Sequence, residues 1–284
     1  MDIKKYFSLV KFSHTVFALP FACIGFVLAY TGTAVAFEWR TLVLMLSCMV
    51  FARNTAMSFN RYADRRFDAR NRRTANREIP RGAITPQRAL GFCVANAAFF
   101  VLAAALLNRL CLYLSPVALL VIVGYSFTKR FTWGCHLVLG ASLAIAPTAA
   151  YIAVTGALAL PPVLFSAITF FWVSGFDVLY ALSDEAFDRQ EKLFSIPARF
   201  GRKGAMLFSG VLHVVAAALV AFAGWTLHAG IFYITGATLF CGLLLYQHLI
   251  IKPSDLSRLD AAFATTNGIA GMLFSAFAIA DFLS

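Results

Sequence analysis

Long apolar runs separated by short polar breaks fill the chain from residue 14 to its end. They are continuous, unlike the period-two alternation of strands in a membrane barrel. Most match the ~20 residues that a helix needs to cross a bilayer. The pattern therefore predicts an all-α membrane protein, one domain over residues 1–284, with nine transmembrane helices at 14–34, 40–59, 87–107, 111–127, 133–154, 162–182, 205–226, 229–250 and 261–283.

The composition supports this class. Hydrophobic residues make up 61% of the chain and charged residues 13%, where soluble domains have about 25% charged residues. The six cysteines lie in apolar segments without zinc-ligand spacing, and the five histidines show no i, i+4 pairing. We therefore predict packing or interface roles for both residue types. The basic N-terminal stretch precedes an apolar run without a persuasive cleavage site, which indicates an uncleaved first helix.

The net charge of +11 reflects topology in this interpretation, and nucleic acid is not an expected partner. Most of the 24 Lys and Arg lie in the N-terminal stretch or in alternate connections, and the exceptions are Arg40, Arg53 and Arg109. Basic residues collect in cytoplasmic loops. We therefore expect a multi-pass protein of a bacterial cytoplasmic membrane, with a cytoplasmic N-terminus and the C-terminus outside.

This orientation predicts a labelling result. A cysteine introduced into the 70–80 loop should react with an impermeant maleimide in inside-out vesicles and stay unlabelled in intact cells, because the basic loops are placed in the cytoplasm. Labelling from outside would contradict the orientation.

Two similar acidic stretches follow the second and sixth predicted helices. Asn60, Asp64 and Asp68 are spaced at i, i+4, i+8, and Tyr180, Asp184 and Asp188 have the same spacing. Each stretch is followed by an Ile-Pro pair, at 79–80 and at 196–197. The similarity predicts two internal half-repeats in which these helices are equivalent.

Residues four apart share one helical face, so each stretch presents two carboxylates in a column. Oxygen ligands without Cys or His suit Mg²⁺, which commonly shares its coordination with substrate phosphate. The predicted metal ligands are Asn60, Asp64, Asp68, Asp184 and Asp188. Nearby basic residues, Arg72, Arg73 and Lys192 among them, would bind phosphate oxygens. The alternative is a solvated loop with ordinary ion pairs.

Other polar residues lie inside the predicted spans. Arg53 is on the helical stripe of the first motif, and Asp177 is on that of the second. Ionisable groups at membrane depth are functional candidates, although these two could simply pair with each other or with polar neighbours. Tyr125 and Lys129 lie four apart at the end of the fourth span, where a lysine could also snorkel beside an interfacial tyrosine.

These motifs together resemble the UbiA superfamily of intramembrane prenyltransferases over nearly the whole chain. The resemblance rests on NxxxDxxxD at Asn60–Asp68, YxxxK at Tyr125–Lys129, DxxxD at Asp184–Asp188, and the run GFDVLYALSDEAFD at 175–188 with SIPARFG behind it. Arg61 stands where many members have Asp. This departure, and the opening LVKFSHTVFALPFA, resemble the 4-hydroxybenzoate polyprenyltransferase-like subgroup, which includes the prenyltransferase of the futalosine route to menaquinone.

The resemblance implies helices ringed around a central apolar chamber with a polar cytoplasmic cap. It implies Mg²⁺-dependent transfer of a polyprenyl group from polyprenyl diphosphate to an aromatic acid, 4-hydroxybenzoate or a dihydroxynaphthoate type, in ubiquinone or menaquinone synthesis. We expect Asp177 or Asp184 to guide the acceptor or take its proton. The expected catalytic residues are Asp64, Asp68, Asp184, Asp188 and Lys129, and the expected substrate-binding residues are Arg53, Arg72, Tyr125, Lys129, Arg130, Asp177, Tyr180 and Lys192.

Two alternatives stay open at this point. A transporter of an anionic lipid or metabolite would explain the repeat and the intramembrane charges, but not two acidic columns on one side. A UbiA-type enzyme with another acceptor, for haem farnesylation, chlorophyll synthesis or lipid ethers, would share the motifs.

Overall fold

The structure is a computed structural model that describes residues 3–10, 18–259 and 265–284. These residues form helices and connecting turns, with one isolated β-bridge between Lys252 and Asp255. The helices are α1 (Ile3–Val10), α2 (Leu19–Thr31), α3 (Trp39–Arg70), α4 (Pro86–Leu107), α5 (Arg109–Thr128), α6 (Cys135–Thr155), α7 (Leu160–Tyr180), α8 (Glu185–Gln190), α9 (Ile196–Thr226), α10 (Ile231–Ile250) and α11 (Asn267–Leu283), with a 3₁₀ turn (Ala181–Asp184) between α7 and α8.

Within the described ranges, seven helices are long and apolar enough to cross a membrane: α3, α4, α5, α6, α7 with its continuation to Gln190, α9 and α10. Two shorter apolar helices, α2 and α11, fall in the first and ninth predicted spans. The predicted starts of those spans, residues 14–17 with His14 and residues 261–264, lie outside the described residues. The prediction of nine spans therefore stays a prediction, as do the half-repeats.

Two helices extend well beyond the predicted apolar segments. α3 continues past residue 59 to Arg70. The helical run of α9 begins at Ile196, but the backbone at Gly201 is not helical (φ 69°, ψ 178°), so a short helical segment and a kink precede the part that the apolar run predicts from residue 205. Hydropathy detects the membrane-embedded part of a helix and misses its polar extension. α9 starts early because Ser195 Oγ caps it by accepting from Ala198 N (3.3 Å) and because Pro197 fits its first turn.

The helices pack in two groups that meet at α6. On one side, α3, α4 and α5 pack on one another, and α5 contacts α6. On the other side, α6 packs on α2 and α7, α7 on α9, and α11 on α2 and α10. The second group encloses fully buried aromatic side chains, namely Phe21, Phe165, Trp172, Phe240 and Phe274.

Many large apolar side chains remain on the outer surface, among them Trp39, Leu120, Leu207 and Trp225. Exposed apolar surface on this scale is unfavourable in water and favourable in contact with lipid. Together with the seven candidate spans, it makes the chain a multi-pass membrane protein.

Buried hydrogen bonds join helices within the second group. Trp172 Nε1 in α7 donates to Asn267 Oδ1 in α11 (3.0 Å), and Asn267 Nδ2 donates to Gln247 Oε1 in α10 (3.0 Å). His213 of α9 contacts His248 of α10 through ring nitrogens 2.8 Å apart. In apolar surroundings polar groups must find partners inside the protein, so such pairs fix the helices relative to one another.

The contact of α2 with α6 depends on a glycine. A Cβ on Gly25 would lie 2.0 Å from the backbone oxygen of Pro147, so the two helices can approach this closely only without a side chain. Small residues at such contacts are typical of membrane helix packing.

Gly25→Ala should therefore lower the melting temperature in detergent, with a cost of roughly 1–3 kcal/mol from overpacking. Gly91→Ala in α4 is the matched control, because a Cβ there meets nothing within 4 Å. Size-exclusion chromatography of heated samples measures both, and equal melting of the two variants would contradict the close contact.

Candidate active site

A polar cavity of about 270 Å³ lies among α3, α5, α6, α7 and the loop that follows α3. The structure brings predicted residues from three separate motifs to its wall, namely Asn60, Asp64, Asp68, Tyr125, Lys129, Arg130, Asp177, Tyr180 and Asp184. Motif residues that are up to 124 positions apart in the chain, from Asn60 to Asp184, thus line one cavity because the ends of three helices lie beside each other.

The first acidic motif lies on a continuous α-helix, as predicted. Asn60 Nδ2 donates to Asp64 Oδ2 (3.0 Å), and Arg130 Nη2 donates to Asp64 Oδ1 (3.2 Å). Arg77 Nη1 donates to Asp68 Oδ1 (2.7 Å). The second oxygen of Asp68, Oδ2, is buried and accepts no hydrogen bond within the described part of the chain.

The second motif has a different geometry from the first, which corrects the expectation of a straight helical extension. α7 ends at Tyr180, and a tighter 3₁₀ turn carries the chain to Asp184 before α8 begins. Asp184 lines the cavity, where Arg73 bonds both of its carboxylate oxygens and Asn71 Nδ2 donates at 3.0 Å. Asp188 is fully buried outside the cavity wall, and its Oδ1 lies 2.7 Å from Lys129 Nζ.

Each motif carboxylate therefore has a basic partner: Asp64 has Arg130, Asp68 has Arg77, Asp184 has Arg73 and Asp188 has Lys129. Burial alone would lower the pKa of Lys129, but the charges of Asp188 and Asp184 outweigh it and raise that pKa. Burial likewise opposes protonation of Arg73, and the hydrogen bond and charge of Asp184 raise its pKa. Both side chains are thus fixed cations at neutral pH.

Three predicted substrate-binding residues are placed away from the cavity. Arg72 and Lys192 are exposed and do not line it, and Arg53 Nη2 contacts the backbone oxygen of Val10 (3.4 Å). The predicted role of Arg72 and Lys192 in substrate binding therefore stays a prediction, without support from their exposed positions. Arg73, a base from the same predicted group, lines the cavity together with Arg77.

His136 is a site residue that sequence reasoning missed. It was expected to be a packing residue, but it lines the cavity with its Nδ1 atom 2.7 Å from Asp177 Oδ2. Its Nε2 accepts from Ile196 N (3.4 Å), so Nδ1 is the ring nitrogen that donates to Asp177. The sequence left open whether Asp177 pairs with Arg53, and the contact seen at Asp177 is to His136.

The residues at the cavity fit a hard cation by their chemistry. Among the described residues, no three His, Cys, Asp or Glu side chains form a ready metal cluster. Oxygen atoms of Asn60, Asp64, Asp68 and Asp184 nevertheless face one cavity, and Asp68 Oδ2 lacks a partner. Such an all-oxygen donor set suits Mg²⁺.

The structure is thus that of a polytopic membrane protein with acidic and basic side chains facing one cavity. The sequence profile of the UbiA prenyltransferase family matches residues 18–276. The chain therefore belongs to this family, and it is an aromatic prenyltransferase by class.

Named relatives and solved structures agree. The chain is 29% identical to the 4-hydroxybenzoate octaprenyltransferase of Aliivibrio fischeri over 84% of this chain and 83% of that protein. It is 31% identical to the enzyme of the same name from Citrobacter koseri over 78% and 76%. A UbiA homologue from Aeropyrum pernix superposes with a TM-score of 0.85 at 32% identity, over 94% of this chain and 98% of that one.

A UbiA homologue from Archaeoglobus fulgidus, solved with GPP and Mg²⁺, has a TM-score of 0.75 over 99% of this chain and all of that one. At 22% identity, this likeness shows the fold alone.

The pairing of Lys129 with Asp188 predicts a stability effect. Lys129→Met should lower stability by roughly 1–3 kcal/mol, because it leaves a buried carboxylate without its cation. Arg130→Met is the control, since its partner Asp64 keeps a hydrogen bond from Asn60 and both members are partly exposed. Thermal melting in detergent measures both, and equal melting points would contradict the role assigned to Lys129.

Proposed function

We propose that this enzyme transfers a polyprenyl group from polyprenyl diphosphate to the ring of an aromatic acid. 4-Hydroxybenzoate is the first candidate acceptor, supported by the names of the relatives, and a dihydroxynaphthoate-type acid in menaquinone synthesis is the second. The observation that carries the proposal is the convergence of motif carboxylates, basic side chains and the Asp177–His136 pair on one cavity. The transporter alternative explains neither this convergence nor the family.

The basic residues of the cavity would bind the diphosphate. Arg73, Arg77, Lys129 and Arg130 supply four cations around it, and charge-assisted hydrogen bonds to phosphate are strong. Asn60, Asp64, Asp68 and Asp184 would hold Mg²⁺, with Asp188 close by, and Mg²⁺ would neutralise charge that develops on the departing diphosphate. The carboxylates would then exchange their basic partners for the metal, which releases those bases to the phosphates.

The proposed transfer breaks one C–O bond and forms one C–C bond. The bond between the allylic carbon and the diphosphate oxygen breaks, and its electron pair leaves with the diphosphate. The ring carbon ortho to the hydroxyl donates an electron pair to form the new C–C bond, and the ring then loses its proton. Asp177 is the proposed acceptor of that proton, held in place by the Nδ1–H of His136. The location of the cavity between packed helices would keep water away from the carbocation.

The finer points of topology are part of the proposal. We place the cavity on the cytoplasmic side, supported by the distribution of Lys and Arg. α2 and α11 would complete nine spans, supported by their apolar composition and their packing against α6 and α10.

The direct test is product analysis by mass spectrometry. Purified protein in nanodiscs, given geranyl diphosphate, Mg²⁺ and each candidate acid, should form the acid's mono-prenyl adduct. Excess chelator should remove the activity, because the donor set requires a hard cation. Full turnover in chelator would contradict the metal proposal, and the absence of product with every acid would contradict the function.

Substitution of the motif acids tests the site. Asp64→Asn, Asp68→Asn and Asp184→Asn should each lower kcat/KM by roughly 10²–10³-fold through lost transition-state stabilisation. Asp255→Asn is the matched control, since Asp255 is an exposed carboxylate in the connection after α10. Near-normal rates in two of the three site variants, with melting points unchanged, would show that the acids are not catalytic.

A separate prediction concerns the proton. Asp177→Asn should lower kcat by roughly 10²-fold or more and leave diphosphate binding unchanged. His136→Ala should lower kcat because Asp177 loses its orienting donor, whereas His136→Asn should restore most of it with an N–H in a similar place. If Asn does not rescue relative to Ala, His136 does not act by orienting Asp177.

A further inference from the structure

Arg61 is a charged residue of the cavity wall that the mechanism above does not use. It lies on α3, it is 2% exposed, and its Nε and Nη1 atoms are buried without hydrogen-bond partners in the described residues. Burying a cation without hydrogen bonds costs free energy. A cation that the fold keeps here unsatisfied therefore needs an explanation beyond packing.

The two carboxylates whose charges act on Arg61 each accept a hydrogen bond from another residue, and Asp68 keeps its Oδ2 without a partner in the described residues. Asp68 and Glu78 act electrostatically on the guanidinium, while Arg77 opposes it. Asp68 accepts from Arg77 (2.7 Å), and Glu78 Oε1 accepts from Ser8 Oγ (2.5 Å). The charges of Asp68 and Glu78 therefore compensate part of the charge of Arg61, yet its Nε and Nη1 atoms have no hydrogen-bond partner in the described residues.

Helix geometry places Arg61 where substrate would lie. Met57, Arg61 and Asp68 are spaced at i, i+4 and i+11, so they share one face of α3, and all three line the cavity. Arg61 precedes Asp64 by three residues, so it lies about 4.5 Å from Asp64 along the axis of α3, towards the N-terminus of that helix. Tyr125 lines the same cavity.

We propose that Arg61 binds an oxyanion of a substrate through its unused donors. A guanidinium presents a planar fork that matches a carboxylate or two phosphate oxygens. The oxyanion is either the carboxylate of the aromatic acceptor or a phosphate of the prenyl diphosphate. The inference rests on the proposed function and adds to it a residue that selects anionic substrates.

Binding measurements separate the two sources. Isothermal titration calorimetry of the protein in detergent would use three probes: 4-hydroxybenzoate, phenol, which lacks the carboxylate, and geranyl diphosphate with Mg²⁺. Arg61→Gln should weaken one anionic probe at least tenfold and leave phenol within twofold. A loss confined to 4-hydroxybenzoate assigns the acceptor carboxylate, and a loss confined to geranyl diphosphate assigns the phosphate. Arg66→Gln is the control on the exposed face of the same helix.

Stability separates binding from a structural role. Arg61→Gln should keep or raise the melting temperature, because it removes an unsatisfied buried charge. Arg61→Lys keeps the charge without the fork and should lose part of the affinity, which provides a second variant if Gln does not fold. Unchanged affinity for both anions, or an equal loss that includes phenol, would overturn the assignment. A wild-type protein that binds none of the probes would overturn the proposed function and, with it, this inference.

Discussion

Charge compensation in apolar surroundings is the constraint on which the site depends. A carboxylate or guanidinium removed from water is costly unless an opposite charge and hydrogen bonds replace the solvent. The protein meets this requirement by pairing the four motif acids with bases from other segments, such as Arg73 with Asp184 and Lys129 with Asp188. The same pairs join the loop after α3, the end of α5 and the segment after α7, so the paired charges also hold the cavity together.

The parts of the site on one helix were predictable from the sequence. Asn60, Asp64 and Asp68 follow the period of an α-helix, and the continuity of α3 to Arg70 puts them on one face. Likewise, seven apolar runs became helices long enough to span a membrane. Periodicity and hydropathy are local properties of the sequence. They therefore predict the position of a residue when that position is set by its own helix alone.

Residues that reach the cavity through tertiary structure were not predictable in this way. His136 and Asp177 are 41 positions apart and meet only because α6 packs on α7. Arg73 and Arg77 stand in an irregular loop whose path, not its composition, turns them inward while Arg72 points out. Arg61 gave a usable signal, because its spacing from Met57 and Asp68 puts it on the cavity-facing stripe. The sequence carries no signal for the 3₁₀ turn before α8, because the residue spacing of the second motif is also that of an α-helix.

The pairing of motif acids with bases has a thermodynamic consequence for ligand binding. If a metal alone took Asp68 and Asp184, it would strand Arg77 and Arg73 as uncompensated cations, and a diphosphate alone would strand the acids. In the proposed function, each ligand would compensate the charges that the other leaves without a partner, so the binding free energies of metal and diphosphate would be positively coupled. By linkage this coupling is reciprocal: the metal tightens the diphosphate by the same factor by which the diphosphate tightens the metal. Release of either the metal or the diphosphate would then weaken binding of the other, so both would leave the proposed site after each turnover.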